Sequence, residues 1–278
     1  MAFLSHAEDR PETRLVYRHT LWVRIAHWVN AGVLLIMLMS GLQIFNAHPA
    51  LYWGVTSHFD KPVLSMTAIQ TPTGEIRGIT QIGSARFDTT GVFGASEIFG
   101  QTAVRGFPAW ATLPSWRSLA SGRQWHFFFA WLFVFNGLAF AVYAFASRHF
   151  GRDLLPKKRD LENIGKDIID HLHLRFPKGE EALHYNVLQK LAYFTVIFIL
   201  GPLIVLTGLT MSPTMNSALP ELLFIFGGRQ SARTIHFLCA FGFVIFFVVH
   251  MVMVILSGPL NNLRAIITGR YGIEADNG

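Results

Sequence analysis

The sequence predicts an all-α integral membrane protein, a bundle of four transmembrane helices with a long connection between the first and the second. Two observations carry this. Of 278 residues, 51% are hydrophobic and only 14% charged, where a soluble domain has roughly a quarter charged. The chain also holds four windows of the roughly 20 apolar residues a bilayer requires, over about residues 21–45, 125–147, 191–212 and 234–256, uncharged apart from Arg24 near the start of the first. All 278 residues are read as a single membrane domain.

The N-terminal segment carries Glu8, Asp9, Arg10, Glu12 and Arg14 and lacks the basic-then-apolar profile and small-residue site of a cleaved leader. The first span, uncharged from Ile25 through Phe45, is therefore expected to remain as an anchor. Residues 46–124 mix Gly, Thr, Ser and Pro with scattered aromatics, as in Thr71-Pro72-Thr73-Gly74-Glu75 and Gly91-Val92-Phe93-Gly94; these are turn and short-strand signals. Pro108, Trp110, Pro114 and Trp116 read as a stretch lying at the membrane interface, where tryptophan concentrates. This region is expected to cap the bundle or receive a partner. The second span lies between Arg123 and Arg148, the third between Lys190 and Glu221, and the fourth between Arg233 and Arg264. Within the connection 148–190, Asp160 to Leu174 is expected to form a short amphipathic helix on the membrane surface. No internal repeat or low-complexity tract is evident.

Four spans place both termini on one side, and the positive-inside rule selects it. The 148–190 connection carries Arg148, Arg152, Lys157, Lys158, Arg159, Lys166, Arg175, Lys178 and Lys190, and the N-terminal segment adds Arg10, Arg14, Arg18 and Arg24. Both regions are expected to be cytoplasmic. The longer 46–124 segment has only Lys61, Arg77, Arg86, Arg105, Arg117 and Arg123 and belongs on the opposite face. The formal charge of +6 thus reads as membrane topology, and no nucleic-acid partner is expected. With Cys239 as its only cysteine, the chain can form no internal disulfide, thiolate cluster for iron–sulfur, or C-x-x-C-H attachment of c-type haem.

Of twelve histidines, four lie in or at the edge of a span: His27, His126, His236 and His250. His236 and His250 are fourteen residues apart on one span, which returns a helix nearly to the same face about 21 Å further along. Ligand-type side chains inside a membrane are costly and generally functional. With the spans oriented as above, His126 and His236 fall at the outer level and His27 and His250 at the inner level. Neutral imidazoles on facing helices can be axial ligands of haem iron, so two bis-histidine b-type haems are expected. Gly41 lies fourteen residues after His27 and Gly137 eleven after His126, each a small residue on the ligand's face at the level of the other haem. His19, His149, His171, His173 and His184 are expected at the solvated margin, and His48 and His58 in the outer segment without visible partners. Arg24, three residues before His27, is placed to meet a haem propionate or to fix topology by reaching the headgroups. Arg123 and Arg233 stand in the same relation to His126 and His236.

These residues lie in Arg24-Ile25-Ala26-His27-Trp28, in Gly122-Arg123-Gln124-Trp125-His126, in Tyr185-Asn186-Val187-Leu188-Gln189-Lys190 and in the His236/His250 spacing. On them the chain resembles the bacterial di-haem, cytochrome b561-like family that includes the cytochrome b subunits of nickel–iron hydrogenases and formate dehydrogenases. The long outer segment and Arg148 to Pro156 look like its thiosulfate-reductase-type branch. The resemblance covers all four spans and is weakest over residues 46–121.

The resemblance implies a multi-pass protein of the bacterial inner membrane with a periplasmic 46–124 segment. It implies electron exchange between the quinone pool, ubiquinone or menaquinone, and a periplasmic molybdopterin or other redox subunit. It also implies quinone contact at Asn186, Gln189 and Lys190, residues whose other reading is a helix cap at the membrane boundary. Two alternatives remain: a free-standing superoxide:quinone oxidoreductase, and a histidine-lined metal or proton transporter without haem absorption bands.

Overall fold

The computed structural model describes residues 13–162, 164–173, 175, 179, 183 and 185–274. Glu8, Asp9, Arg10, Glu12, Leu174, Pro177, Lys178 and His184 lie outside them. Four helices are long and apolar enough to cross a membrane: Leu21–Phe45, Leu119–Ala146, Val187–Thr210 and Arg229–Leu256. The described residues fall into two compact units, one made of residues up to 27, 140–195 and 246 onward, the other of 28–139 and 196–245.

Helix α1 (Leu21–Phe45) starts in the first unit and runs on in the second from Trp28; it leads there into strands β2 (Ala50–Leu51), β3 (Leu64–Gln70), β4 (Ile76–Ile82) and β5 (Ala85–Asp88), an antiparallel sheet in the order β2-β3-β4-β5. Thr67 pairs with Ile79 and Thr80 with Phe87. A hairpin of β6 (Gly94–Ile98) and β7 (Gln101–Arg105) packs close by. A Cβ at Gly94, where φ is +79°, would stand 2.2 Å from the Thr67 carbonyl oxygen, and one at Gly78 2.1 Å from that of Phe93; only glycine permits this approach. The chain is therefore mostly helical rather than all-α. Outside the apolar windows, short segments close their backbone bonds between strands; β4 buries alternate positions, Gly78 and Thr80, whereas β5 is exposed throughout.

Beneath the sheet, Phe45, Leu51, Met66 and Phe107 form the core, with Phe237 and Phe241 against it. The return to the helices is fixed by polar bonds. Asn46 Oδ1 accepts from the Phe107 N–H at 2.6 Å and its amide donates to the Phe107 carbonyl at 3.1 Å. Arg105, only 3% exposed, donates to the Phe107 and Ser115 carbonyls, to Gln43 Oε1 and to Thr112 Oγ1. Helix α2 (Leu119–Ala146) begins earlier than expected, because Ser118 Oγ caps it by accepting from the Ser121 N–H at 3.3 Å.

In the first unit, β1 (Thr13–Tyr17) pairs antiparallel with β8 (Arg270–Glu274). The Arg18 guanidinium lies 4.7 Å from the centre of the Tyr271 ring. Where a surface helix was expected over 160–174, the described residues are helical in α3 (Lys158–Glu162) and α4 (Ile164–Leu172). Asp167 on α4 accepts from the Val187 N–H, the first residue of α5 (Val187–Phe194). The span beginning with α5 continues through a π-helical stretch, Thr195–Leu200, into α6 (Gly201–Thr210). Pro202 lacks the N–H that would close the regular ladder there, so the local winding widens. Helices α7 (Pro213–Ala218) and α8 (Glu221–Ile225) lead to α9 (Arg229–Leu256), followed by α10 (Pro259–Thr268).

Candidate functional site

The structure brings the four membrane histidines together as two pairs, each within one unit. His126 on α2 and His236 on α9 stand with ring centres 6.2 Å apart and planes inclined at 64°. His27 on α1 and His250 on α9 stand 6.3 Å apart at 55°. The His250 ring stacks on Phe246 at 5.7 Å.

The first pair is held by a bonding pattern that occurs twice. His126 Nδ1 lies 3.1 Å from the Met37 carbonyl oxygen and 3.2 Å from Ser40 Oγ, both on α1. His236 Nδ1 lies 2.9 Å from the Ile204 carbonyl oxygen and 3.2 Å from Thr207 Oγ1, both on α6. A carbonyl oxygen can only accept, so in each ring Nδ1 carries the proton and Nε2 keeps its lone pair for a metal. Ser40 and Thr207 are both 0% exposed. Beside each stands a glycine: a Cβ at Gly41 would lie 3.3 Å from His126 Cε1, and one at Gly208 would lie 3.3 Å from His236 Cε1.

The spacing of both pairs suits one metal between two imidazoles. With about 2.0–2.1 Å for each metal–nitrogen bond and about 1.1 Å from nitrogen to ring centre, trans imidazoles stand roughly 6.2–6.4 Å apart. Among the described residues no group of three or more His, Cys, Asp or Glu side chains could hold a metal ion. Two protein ligands are what an iron already held in a porphyrin needs. The residues present therefore fit haem, with His126 and His236, and His27 and His250, as the axial sets.

The other residues named from sequence have varied surroundings. Arg24 donates to the Ile267 carbonyl near the end of α10. Arg233 donates to the His48 carbonyl and lies over the Phe45 ring, and Arg123 lies over the Phe127 ring. Asn186 and Gln189 form a reciprocal capping box at the start of α5, and Lys190 donates to Asp160 Oδ2 at 2.7 Å. This ion pair and a hydrogen bond from the Lys157 N–H hold the Asp160 carboxyl below its ordinary range. A Cβ at Gly137 would meet nothing within 4 Å.

Several histidines expected at a solvated margin or alone have partners. His149 Nδ1 hydrogen-bonds Asp153 Oδ2 at 2.7 Å. His48 meets the Tyr52 hydroxyl, and His58 meets Thr56, each at 3.2 Å. His19 is packed inward, and burial, with Arg18 beside it, pushes its pKa down to about 4. His173 is exposed, its ring bonded to the Ile169 carbonyl; the His171 side chain lies outside the described residues.

Sequence reasoning missed Ser40, Thr207 and Gly208. A signal was present: Ile36-Met37-Leu38-Met39-Ser40-Gly41-Leu42 is echoed by Leu203-Ile204-Val205-Leu206-Thr207-Gly208-Leu209, each ending in a hydroxyl residue, Gly and Leu. Hydropathy could not show it, because every position in both copies is apolar, small or a hydroxyl.

The family described as prokaryotic cytochrome b561 matches residues 18–269. A protein of Azospira oryzae, named as a candidate YedZ1 subunit of a protein-methionine-sulfoxide reductase, is 26% identical over 239 residues, covering 86% of this chain and 90% of that protein. No solved structure matches the chain significantly.

Proposed function

From the premise that the chain belongs to the prokaryotic cytochrome b561 family and is a membrane haem protein, we propose that it holds two b haems and passes electrons between the quinone pool and a periplasmic redox subunit. The carrying observation is the two histidine pairs, at 6.2 and 6.3 Å, one in each unit. When bound, haem supplies reversible one-electron chemistry. The protein's part would be to hold each iron between two neutral imidazoles, fix the His126 and His236 rings by Nδ1–H bonds, and keep water away with apolar helix faces.

The proposed orientation puts residues 148–190 and the termini in the cytoplasm of a bacterial cell and residues 46–124 in the periplasm, with the chain in the inner membrane. Electrons then exchange with quinone on the side of His27 and His250 and with the partner on the side of His126 and His236. Asn186, Gln189 and Lys190 are the proposed quinone contacts. The capping box uses side-chain oxygens and backbone N–H groups, and Lys190 gives one of its three ammonium protons to Asp160; the Gln189 amide NH₂ and the other ammonium protons are the donors we propose for quinone oxygens. Arg24 is the proposed propionate partner at the inner haem.

The partner we propose is a molybdopterin oxidoreductase. The name of the Azospira relative supports a methionine-sulfoxide reductase as its class, with electrons drawn from quinol. The test is a reduction assay on the purified protein. A quinol analogue is expected to raise a b-type α-band, which the co-purified partner discharges on addition of oxidised methionine. Absence of Soret and α-bands would reject the haem reading, and haem that no quinol reduces would reject the quinone link.

A further inference from the structure

We propose that Ser40 and Thr207 are positioning residues that set the reduction potential of the outer haem, by serving as second hydrogen-bond acceptors to the Nδ1–H of its two ligands. The inference rests on the reading that His126 and His236 share one iron. Its geometric basis is where each hydroxyl proton goes. Ser40 Oγ donates to the Ile36 carbonyl at 2.7 Å, and Thr207 Oγ1 donates to the Leu203 carbonyl at 2.7 Å. Each hydroxyl has one proton, and the carbonyl one helical turn back takes it. The oxygen therefore turns lone pairs toward the imidazole, 3.2 Å away in both cases.

Each Nδ1–H thus faces two acceptors, a main-chain carbonyl and a hydroxyl. The carbonyl alone would satisfy the donor, so the hydroxyl is not needed to avoid a buried unpaired group. What it adds is negative potential on the proton side of the ring. That makes the imidazole a stronger electron donor through Nε2 and stabilises ferric iron more than ferrous. Gly41 and Gly208 complete the device, since a Cβ at either would lie 3.3 Å from the imidazole it adjoins. The same three parts, a carbonyl, a hydroxyl three residues on and then glycine, occur on α1 for one ligand and on α6 for the other. One occurrence would be ordinary helix back-bonding by a buried hydroxyl; two on different helices, both aimed at ligands of one pair, assign it to the site.

The experiment is a potentiometric titration of the α-band in the intact purified protein, with haem content measured alongside, for Ser40→Ala, Thr207→Val and the double variant. A neutral hydrogen bond of net strength typical of proteins predicts a shift of about three- to tenfold in the reduction equilibrium per hydroxyl, where tenfold is about 59 mV for one electron. One of two waves is expected to move to higher potential, further in the double variant, while the other stays in place and haem content stays constant. Ser40→Thr and Thr207→Ser, which keep the hydroxyl, are expected to titrate as wild type. Unmoved waves, or both waves moving together, would overturn the proposal. Should a hydroxyl-less variant lose haem, the swaps decide: wild-type potentials support the proposal, and potentials raised to the same degree overturn it. His126→Ala separates the two layers. If it leaves both waves intact, the shared-iron reading fails; if it removes one wave that Ser40→Ala and Thr207→Val do not move, only the role of the hydroxyls fails.

Discussion

Adding one methyl group at Gly41 or Gly208 should loosen one haem and leave the other alone. An Ala Cβ at Gly41 would lie 3.3 Å from His126 Cε1 and 3.5 Å from Nδ1; at Gly208 the corresponding distances to His236 are 3.3 and 3.6 Å. Carbon atoms in favourable contact stand about 3.5–4.0 Å apart, so the ring must retreat by a few tenths of an ångström. A free side chain could do so easily. On the proposed ligation, a ring held by iron on Nε2 and by two acceptors on Nδ1 would not move without weakening one of these bonds. Overpacking of this kind costs about 1–3 kcal/mol, which is about five- to 150-fold in haem affinity. The helix itself gains, since Ala is favoured over Gly by up to about 1 kcal/mol, so fold and haem binding should respond in opposite directions. The assay is the rate of haem transfer to an excess of a haem-scavenging apoprotein. Two phases are expected, one accelerated and one at the wild-type rate. Gly32→Ala, on an exposed face with nothing within 4 Å of the new Cβ, serves as the control and should be silent. Wild-type transfer in both Gly41→Ala and Gly208→Ala would refute the reasoning.

Three further outcomes concern other parts of the molecule. Arg105→Met removes four hydrogen bonds and leaves the buried Gln43 Oε1 and Thr112 Oγ1 without this donor; it should cost about 3–5 kcal/mol, seen as a large fall in Tm in detergent, with no rescue by Arg105→Lys because an ammonium cannot reproduce the planar fork. Asn186→Ala should cost about 1 kcal/mol through loss of the cap, whereas Asn186→Ser keeps the cap; a raised KM for quinol in the Ser variant at unchanged Tm is the expected mark of quinone contact, and an unchanged KM would leave the residue a cap only. His19 has its pKa lowered to about 4 from an ordinary 6.5, so between those values the unfolded chain binds the extra proton. Its contribution to stability is fully present above about 6.5, is lost as pH falls toward 4, and is level below; His19→Gln should flatten that part of a Tm-against-pH curve.

The four spans were legible because an uncharged apolar run of about twenty residues or more is long enough to cross a bilayer and longer than a buried core helix usually needs. The histidine pairs could be drawn from span direction alone. Gly41 was legible as a residue belonging to the outer level, but its contact was not: it faces the His126 ring itself. Gly208 and Thr207 could be tied to Ser40 and Gly41 only by the echo of 36–42 in 203–209, because span three has no histidine from which to count, and only packing shows that α6 lies beside His236. The register of the sheet over 50–105 was equally hidden. Its strands are short, and their pairing depends on glycines at 78 and 94 whose need appears only when two backbones meet. Arg105 reads in sequence as one more basic residue in an outer segment; its burial among neutral acceptors is a tertiary fact.

The central claim is that two haems are each held by one of these pairs. It is tested most directly by haem quantitation, with reduced-minus-oxidised spectra, on wild type, His126→Ala and His250→Ala. The account predicts about two b haems per chain in the wild type and about one in each variant, with the lost spectral component differing between the two. Unchanged haem content in both variants would contradict it.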